Sequence, residues 1–291
     1  MLAIYTNNFS ITAQKNLNGN RGMLQTSIER LSSGLRINHA SDDAAGLAIA
    51  TGMNAQLKSM GQASRNANDG VSMLNTAEGA MNQQVNILTR MRELASQSAN
   101  GTVTDTQRSS IQTEFGALQS EIDRIANVTT FNGVSLLASG NGAFVGSGIT
   151  NLQIGAGATT SDSLNLNTAV GASALVGFNG FTTSGLQVGT SSVTVSGLAW
   201  AQTALGAIDS ALNVLNQARG GIGAVTNRLG YTLSNLATSN QNINAAQSQI
   251  MDADYATEVS SFTRNQILVQ ASTAILAQAN QVPQTVLQLL G

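Results

Sequence analysis

Cysteine is absent from the chain, which excludes disulfides, thiolate nucleophiles and cysteine metal ligands. Proline occurs once in 291 residues, so almost nothing interrupts long helices. Aromatic residues are scarce at 4% and charged residues at 10%. A core must then be built from Leu, Ile, Val, Ala and Met, which suits long helix–helix seams better than a globular interior. The formal net charge of −2 gives no electrostatic case for nucleic acid or an anionic membrane as partner. His39 is the only histidine; it sits in a polar break beside Ser41, Asp42 and Asp43 and reads as a solvated loop residue. A zinc-protease H-E-x-x-H pair needs two histidines one helical turn apart and cannot form. Asp252 and Asp254 lack the further oxygen ligands of a calcium loop. Gly155-Ala-Gly157 precedes no convincing helix and is not a phosphate loop. No catalytic residue, metal or cofactor is therefore expected, and the chain reads as a non-enzyme. No window approaches 18 consecutive apolar residues, so no membrane insertion is predicted. The N-terminus, MLAIYTNNFSITAQ, lacks a basic segment followed by an apolar one, so no Sec-type signal peptide is expected.

What the chain does contain is heptad spacing. Leu17, Leu24 and Leu31 are seven apart, and Ile28 and Leu35 are read as the second position of that repeat. A break follows at 38–43, with Ser41 or Asp42 placed as the N-cap of the next helix. Ile49, Met53, Leu57 and Met60 continue the pattern, then Leu74, Met81 and Leu88, up to an Asn100-Gly101 stop. A helix over about 104–128 carries Ile111, Leu118 and Ile125. The clearest run is Ile208, Leu215, Ile222, Leu229, Leu236, Ile243 and Ile250, seven apolar residues each seven apart. It predicts one helix of more than about 40 residues that demands partners along its length.

The middle differs. Between Arg124 and Asp209 the only charged residue is Asp162, and residues 140–200 hold 12 of the 29 glycines. Alternation in Leu152-Gln-Ile154, Leu164-Asn-Leu166 and Val193-Thr-Val195 predicts short strands joined by glycine-rich turns. A disordered linker is the alternative; Phe144, Phe178 and Phe181 argue for an ordered unit. Ser and Thr here could carry O-linked glycans or serve merely as strand and turn residues. The two ends share one oddity. Residues 265–291 carry no charge, yet Ile267, Leu268, Ile275, Leu276, Val282, Val286 and Leu290 recur at helical spacing. Pairing with the N-terminal helix would still leave apolar surface in water, so further copies of the chain are expected to cover it. Gln270, Ser272, Gln278, Gln281 and Gln284 argue for protein contacts over lipid.

LSSGLRINHASDDAAGLAIA (31–50) and MDADYATEVSSFTRNQILVQASTAILAQANQVPQTVLQLLG (251–291) resemble the N- and C-terminal motifs of bacterial flagellins, and residues 152–167 resemble a β-hairpin of the same family. The resemblance spans residues 1–139 and 201–291. It implies a mainly α fold: long, antiparallel, coiled-coil-like helices, paired N- and C-terminal helices and a small Gly-rich β region. It further implies inner-core helices over 1–42 and 251–291, a helical rod over 43–139 and 201–250, and an outward β-rich region over 140–200. The function it implies is a homopolymer, the extracellular flagellar filament of motility, exported unfolded through the type III apparatus. An export chaperone, a cap and hook-associated proteins would be its partners. Apolar residues of the two ends, Leu17, Leu24, Ile28, Leu31, Leu35, Ile267, Leu268, Ile275, Leu276, Val282, Val286 and Leu290, would carry self-assembly, ordering only on assembly. A hook–filament junction adaptor is the alternative. Arg90-Met-Arg-Glu-Leu-Ala-Ser-Gln97 is similar to the flagellin stretch read by a Toll-like receptor. Arg90, Glu93, Leu94, Gln97 and Glu114 are its candidate receptor residues, with Thr89 departing from the usual Gln. Exposed ion pairs of Arg90 and seam packing of Leu94 are the plainer reading of the same residues.

Overall fold

The computed structural model describes residues 7–138, 151–166, 181–189 and 193–290, with side chains to residue 281. Five long helices dominate: α1 (Asn8–Ser33), α2 (Ala44–Ser98), α3 (Asp105–Val128), α4 (Leu198–Met251) and α5 (Tyr255–Leu290). Two small antiparallel sheets accompany them, β1 (Thr130–Phe131) with β2 (Val134–Ser135) and β3 (Asn151–Gln153) with β4 (Ser163–Asn165). The chain divides into two compact units: Met1–Leu57 with Gln241–Gly291, and Lys58–Asn240. Phe144, Phe178, Val282, Val286 and Leu290 lie outside the described residues or side chains.

In the first unit α1 packs against α5. The helices run antiparallel, since Asn20 bonds Ser272 and, seven residues on, Ser27 meets Asn265 seven residues earlier. Asn7 caps α1 by accepting from the Ser10 N–H at 3.2 Å. Gly34, at φ 72°, ends the helix in the left-handed conformation that glycine adopts without a Cβ penalty. The chain then turns alongside the α4–α5 break. Leu35 forms an isolated bridge with Asp252, the Arg36 N–H donates to the Met251 carbonyl at 2.6 Å, and the Ala253 N–H donates to the Gly34 carbonyl at 3.0 Å. The Arg36 guanidinium reaches the Ile250 carbonyl at 2.8 Å, a cation on the negative end of α4.

Aspartates finish both breaks. The N-cap of α2 is Asp43, not Ser41 or Asp42, because the helix begins one residue later; its Oδ1 accepts from the Gly46 N–H at 2.9 Å. A Cβ on Gly46 would lie 2.5 Å from the Asp43 carboxylate and 2.8 Å from Ile37, so only glycine lets the cap close on the first turn. Asp42 instead accepts from the Asn38 and His39 N–H groups. Asp254 caps α5 through the Ala256 N–H and the Thr257 hydroxyl, at 3.0 and 2.7 Å.

The second unit holds a continuous core. Leu74, Met81, Leu88 and Met91 of α2 meet Ile208, Leu215, Ile222 and Leu229 of α4, all fully buried. The other heptad position of α4 holds Ala204, Ala211, Ala218 and Val225. Small residues there alternate with large ones, so layers interdigitate at close packing. Each fully buried Leu or Ile contributes roughly 1.5–3 kcal/mol. In α3 the buried face is Ile111, Phe115, Ile122 and Ala126, while Leu118 and the side chain of Ile125 lie at its edge. The aromatic Phe115 and the fit with segments 181–189 and 193–195 shift the face away from the simple seven-residue count. In α2, Ile49 is 52% exposed and Ala50 takes the buried position.

Segments 181–189 and 193–195 dock on α3 through backbone groups rather than strand pairing. Asp123 accepts from the Thr183 N–H and hydroxyl, Gln119 donates to the Val188 carbonyl, and Gln112 accepts from the Val195 N–H. Val193 and Val195 are buried, but Val193-Thr-Val195 is not a strand, because α3 side chains take the hydrogen bonds a neighbouring strand would have taken. Arg108, 8% exposed, closes the α2–α3 turn by donating to the Ser98 and Asn100 carbonyls, each at 3.0 Å, and to Asp105. The β3–β4 hairpin pairs Leu152 with Leu164. It lies on α2, where a Cβ on Gly70 would come 2.4 Å from Leu152.

Candidate functional site

The seam between α1 and α5 is narrow and half polar. On α1 it consists of Ala13, Leu17, Asn20, Leu24, Ser27 and Leu31, spaced three and four apart. On α5 the facing side chains are Phe262, Asn265, Val269, Ser272, Leu276 and Ala279. Asn20 donates to the Ser272 hydroxyl at 2.9 Å, and Asn265 lies 3.5 Å from the Ser27 hydroxyl. Ser10 meets Asn280 at 2.7 Å, and Asn7 donates to the Ala279 carbonyl at 2.8 Å. Arg30 and Glu258 add an ion pair at 3.8 Å.

This arrangement corrects the heptad assignment made from apolar residues alone. The second position of the α1 repeat is held by Ala13, Asn20 and Ser27, and Ile28 is half exposed. Leu35 belongs to the bridge with Asp252. Of the residues expected to carry self-assembly, Leu17 is buried and Leu24, Leu31 and Leu276 are partly buried in the seam within one chain. Ile28, Ile267, Leu268 and Ile275 remain exposed, at 40–60%.

More apolar surface accompanies them: Phe9, Ile11 and Met23 on α1, and Tyr255 and Val259 on α5. A helix turns about 100° per residue. That step places Met23 and Ile28 on opposite flanks of the α1 seam and Ile11 behind it. On α5, Leu268 and Ile275 share one flank while Ile267 faces away. Apolar side chains all round a helix pair mark elements built to be buried by further neighbours. Phe9, Ala13, Ile275 and Ala279 also line an open groove between the two helices. No helix is long and apolar enough to cross a membrane among the described residues.

In the second unit Arg90, Glu93 and Glu114 form one exposed cluster. The Arg90 guanidinium binds Glu93 and Glu114, each at 2.9 Å, and these bonds hold its pKa above the ordinary value, Glu93 first. Gln97 is exposed; Leu94 is buried, at 2% exposure, in the helical core. Exposed pairs of this kind are screened by solvent and contribute little to stability. His39 is exposed and pairs with Glu29 at 2.6 Å. Among the described residues no cluster of three metal-binding side chains exists. The Gly155-Ala-Gly157 turn closes on Asp162: the Gly155 N–H donates to its backbone carbonyl at 2.9 Å and the Gly157 N–H to its carboxylate.

Sequence reasoning missed Asn20 and Ser27 because the repeat was traced through apolar residues alone. The signal was present: both sit seven apart, in phase with Ala13, and the complementary Asn265 and Ser272 are also seven apart.

Comparison with known proteins gives a consistent result. Residues 4–142 match the family model of the bacterial flagellin N-terminal helical region, and residues 205–290 match that of the C-terminal helical region. A flagellin of Halalkalibacterium halodurans is 42% identical over 97% of this chain and 97% of its own length. A flagellin of Bacillus subtilis is 44% identical over 97% of this chain and 99% of its own. A solved Vibrio parahaemolyticus protein, put forward as flagellar hook-associated, covers 72% of this chain and 100% of its own with a TM-score of 0.53 at 16% identity, a likeness of fold alone. Two terminal matches and near full-length identity to flagellins, on helices with uncovered apolar ends, make this chain a member of the bacterial flagellin family, a structural subunit of the extracellular flagellar filament and not an enzyme.

Proposed function

We propose that the chain polymerises through the apolar flanks of the α1–α5 pair, with Ile28, Ile267, Leu268 and Ile275 as copy-to-copy contacts and Leu17, Leu24, Leu31 and Leu276 holding each pair together. Leu35, Val282, Val286 and Leu290 complete the apolar set of the two ends. The observation that carries this reading is the exposure of large apolar residues on several sides of a pair whose own seam is half polar. Burying one such side chain contributes roughly 1.5–3 kcal/mol, so four per copy outweigh the ordering of side chains at a contact. In this reading residues 1–42 and 251–291 form the inner core, 43–139 and 201–250 the rod, and 140–200 the outward region.

The same reading includes export in an unfolded state through the type III apparatus and handling by an export chaperone, a cap and hook-associated proteins. Absence of cysteine and a weak terminal seam both suit passage as an unfolded chain. It also includes recognition of the unassembled subunit by a Toll-like receptor at Arg90, Glu93, Gln97 and Glu114. Leu94 supports that surface from beneath, by fixing the face of α2 that displays them.

The test is seeded assembly followed by electron microscopy. Ile267→Ser with Ile275→Ser is expected to abolish long filaments while leaving the helical content of the second unit intact. Filaments of ordinary length from that variant would refute the contact assignment. A chain found in only a few copies per filament, at its base, would move the assignment to a hook–filament junction adaptor.

A further inference from the structure

Two seams compete on α1. The apolar one uses Leu17, Leu24, Ile28 and Leu31; the observed one uses Leu17, Asn20, Leu24, Ser27 and Leu31 with Ala13. At 100° per residue the centres of these faces differ by about 30°. A rotation that small would bring Ile28 toward α5 and carry Ser27 outward. Burial of apolar area by itself favours the rotated state, because a branched aliphatic side chain replaces a serine in the seam. The observed state keeps Ile28 at 50% exposure and Ser27 at 4%. What distinguishes it is the polar rungs: Asn20 on Ser272 at 2.9 Å and Ser27 beside Asn265 at 3.5 Å. Once a serine or asparagine is in a helix seam, losing its partner costs more than the bond is worth when made.

We propose that Asn20 and Ser27, through Ser272 and Asn265, set the rotational phase of α1 so that Ile28 faces outward and is available to a second copy of the chain. These are positioning residues: they touch no neighbouring copy, and they decide which α1 side chain does. The proposal rests on the reading that Ile28 is a copy-to-copy contact. It explains why two of the seam layers of α1 are given to amide and hydroxyl groups. The charged groups near the seam lie outside these two layers. Arg30 and Glu258 are 3.8 Å apart, Glu29 turns to His39, and neither pair reaches the layers of Asn20 and Ser27.

The experiment is seeded filament growth of the full chain, the state in which both ends are ordered. Removing both rungs (Asn20→Ala, Ser27→Ala) is expected to slow growth on the order of tenfold, from the loss of two hydrogen bonds. Exchanging the partners of one rung (Asn20→Ser with Ser272→Asn) is expected to keep growth near the parent rate, which a change that merely damaged the helix would not. Ile28→Ser is expected to slow growth as well, and adding the double-alanine change to it is expected to slow growth little further, because the rungs act through Ile28. Parent-rate growth of the double-alanine variant would overturn the proposal. Slowing by the two changes that multiplied in full would show the rungs acting independently of Ile28 and would likewise overturn it.

Discussion

At the residue scale, several side chains have one neighbour that explains them. Gly70 sits under Leu152, where an added Cβ would come 2.4 Å from the end of that side chain. Gly70→Val is expected to displace the β3–β4 hairpin and destabilise the second unit by about 1–3 kcal/mol, the usual cost of overpacking. Gly70→Ala is expected to be far milder, since the end of Leu152 can turn aside and the helix gains about 1 kcal/mol of propensity. Chemical denaturation of the two variants checks the contrast. Asp162 is the lone charge of its region and accepts from the Thr159 N–H and hydroxyl. Those bonds, the hydroxyl first, hold its pKa below the ordinary carboxylate value. Its contribution is therefore present above about pH 4 and lost as pH falls through the depressed pKa. Asp162→Ala is expected to reduce amide protection in residues 154–162 at neutral pH, with little change in the helices, as hydrogen exchange would show.

At the element scale, the helix ends govern how α1, α2, α4 and α5 begin and stop. Asp42 and Asp254 both have pKa values below the ordinary one. The His39 and Asn38 amides stabilise the charged form of Asp42, and the Thr257 hydroxyl and amide with the Ala256 amide stabilise that of Asp254. Both carboxylates lose these bonds on acidification, so the breaks at 34–43 and 251–254 are expected to loosen below about pH 4 while the apolar core of the second unit persists. Amide exchange at Asn38, His39 and Ala256 that stayed flat from pH 6 to pH 3, after correction for intrinsic rate, would contradict this. Within α4, the alanine layer decides how near its neighbours approach. Ala218→Leu is expected to cost about 1–3 kcal/mol and lower the thermal midpoint, because a filled layer cannot take three more carbons.

At the scale of the whole molecule, the two units differ in what holds them. The second has a continuous core of fully buried leucine, isoleucine, methionine and phenylalanine. The first has one seam, half of it polar, and apolar side chains turned to the outside. Ordering a residue's backbone costs roughly 1–2 kcal/mol, which a single narrow seam offsets poorly without additional burial from neighbouring copies. Removing residues 265–291 is expected to abolish filaments while leaving a cooperative thermal transition for the second unit. A truncated chain that still polymerised would show that the contacts lie elsewhere.

Much of this was legible in the residues. The heptads of Leu74, Met81 and Leu88 and of Ile208 to Leu229 predicted long buried helices, and all seven of those side chains are fully buried. A repeat that regular admits one solution, a helix with one buried stripe. The Leu152–Leu164 hairpin was likewise visible as alternation. Polar and small residues were less legible, because their role depends on what stands opposite. Val193 and Val195 looked like a strand until Gln119 of α3 met the Val193 carbonyl and Gln112 took the Val195 N–H. Ile28 read as the second position of the α1 repeat until Asn265 and Ser272 stood across the seam from Ser27 and Asn20. The sequence by itself determined which segments are helices and that their ends need company. Only the tertiary structure decided which way those helices are turned, because a rotation of about 30° exchanges one aliphatic contact for a pair of hydrogen bonds between residues some 240–250 positions apart.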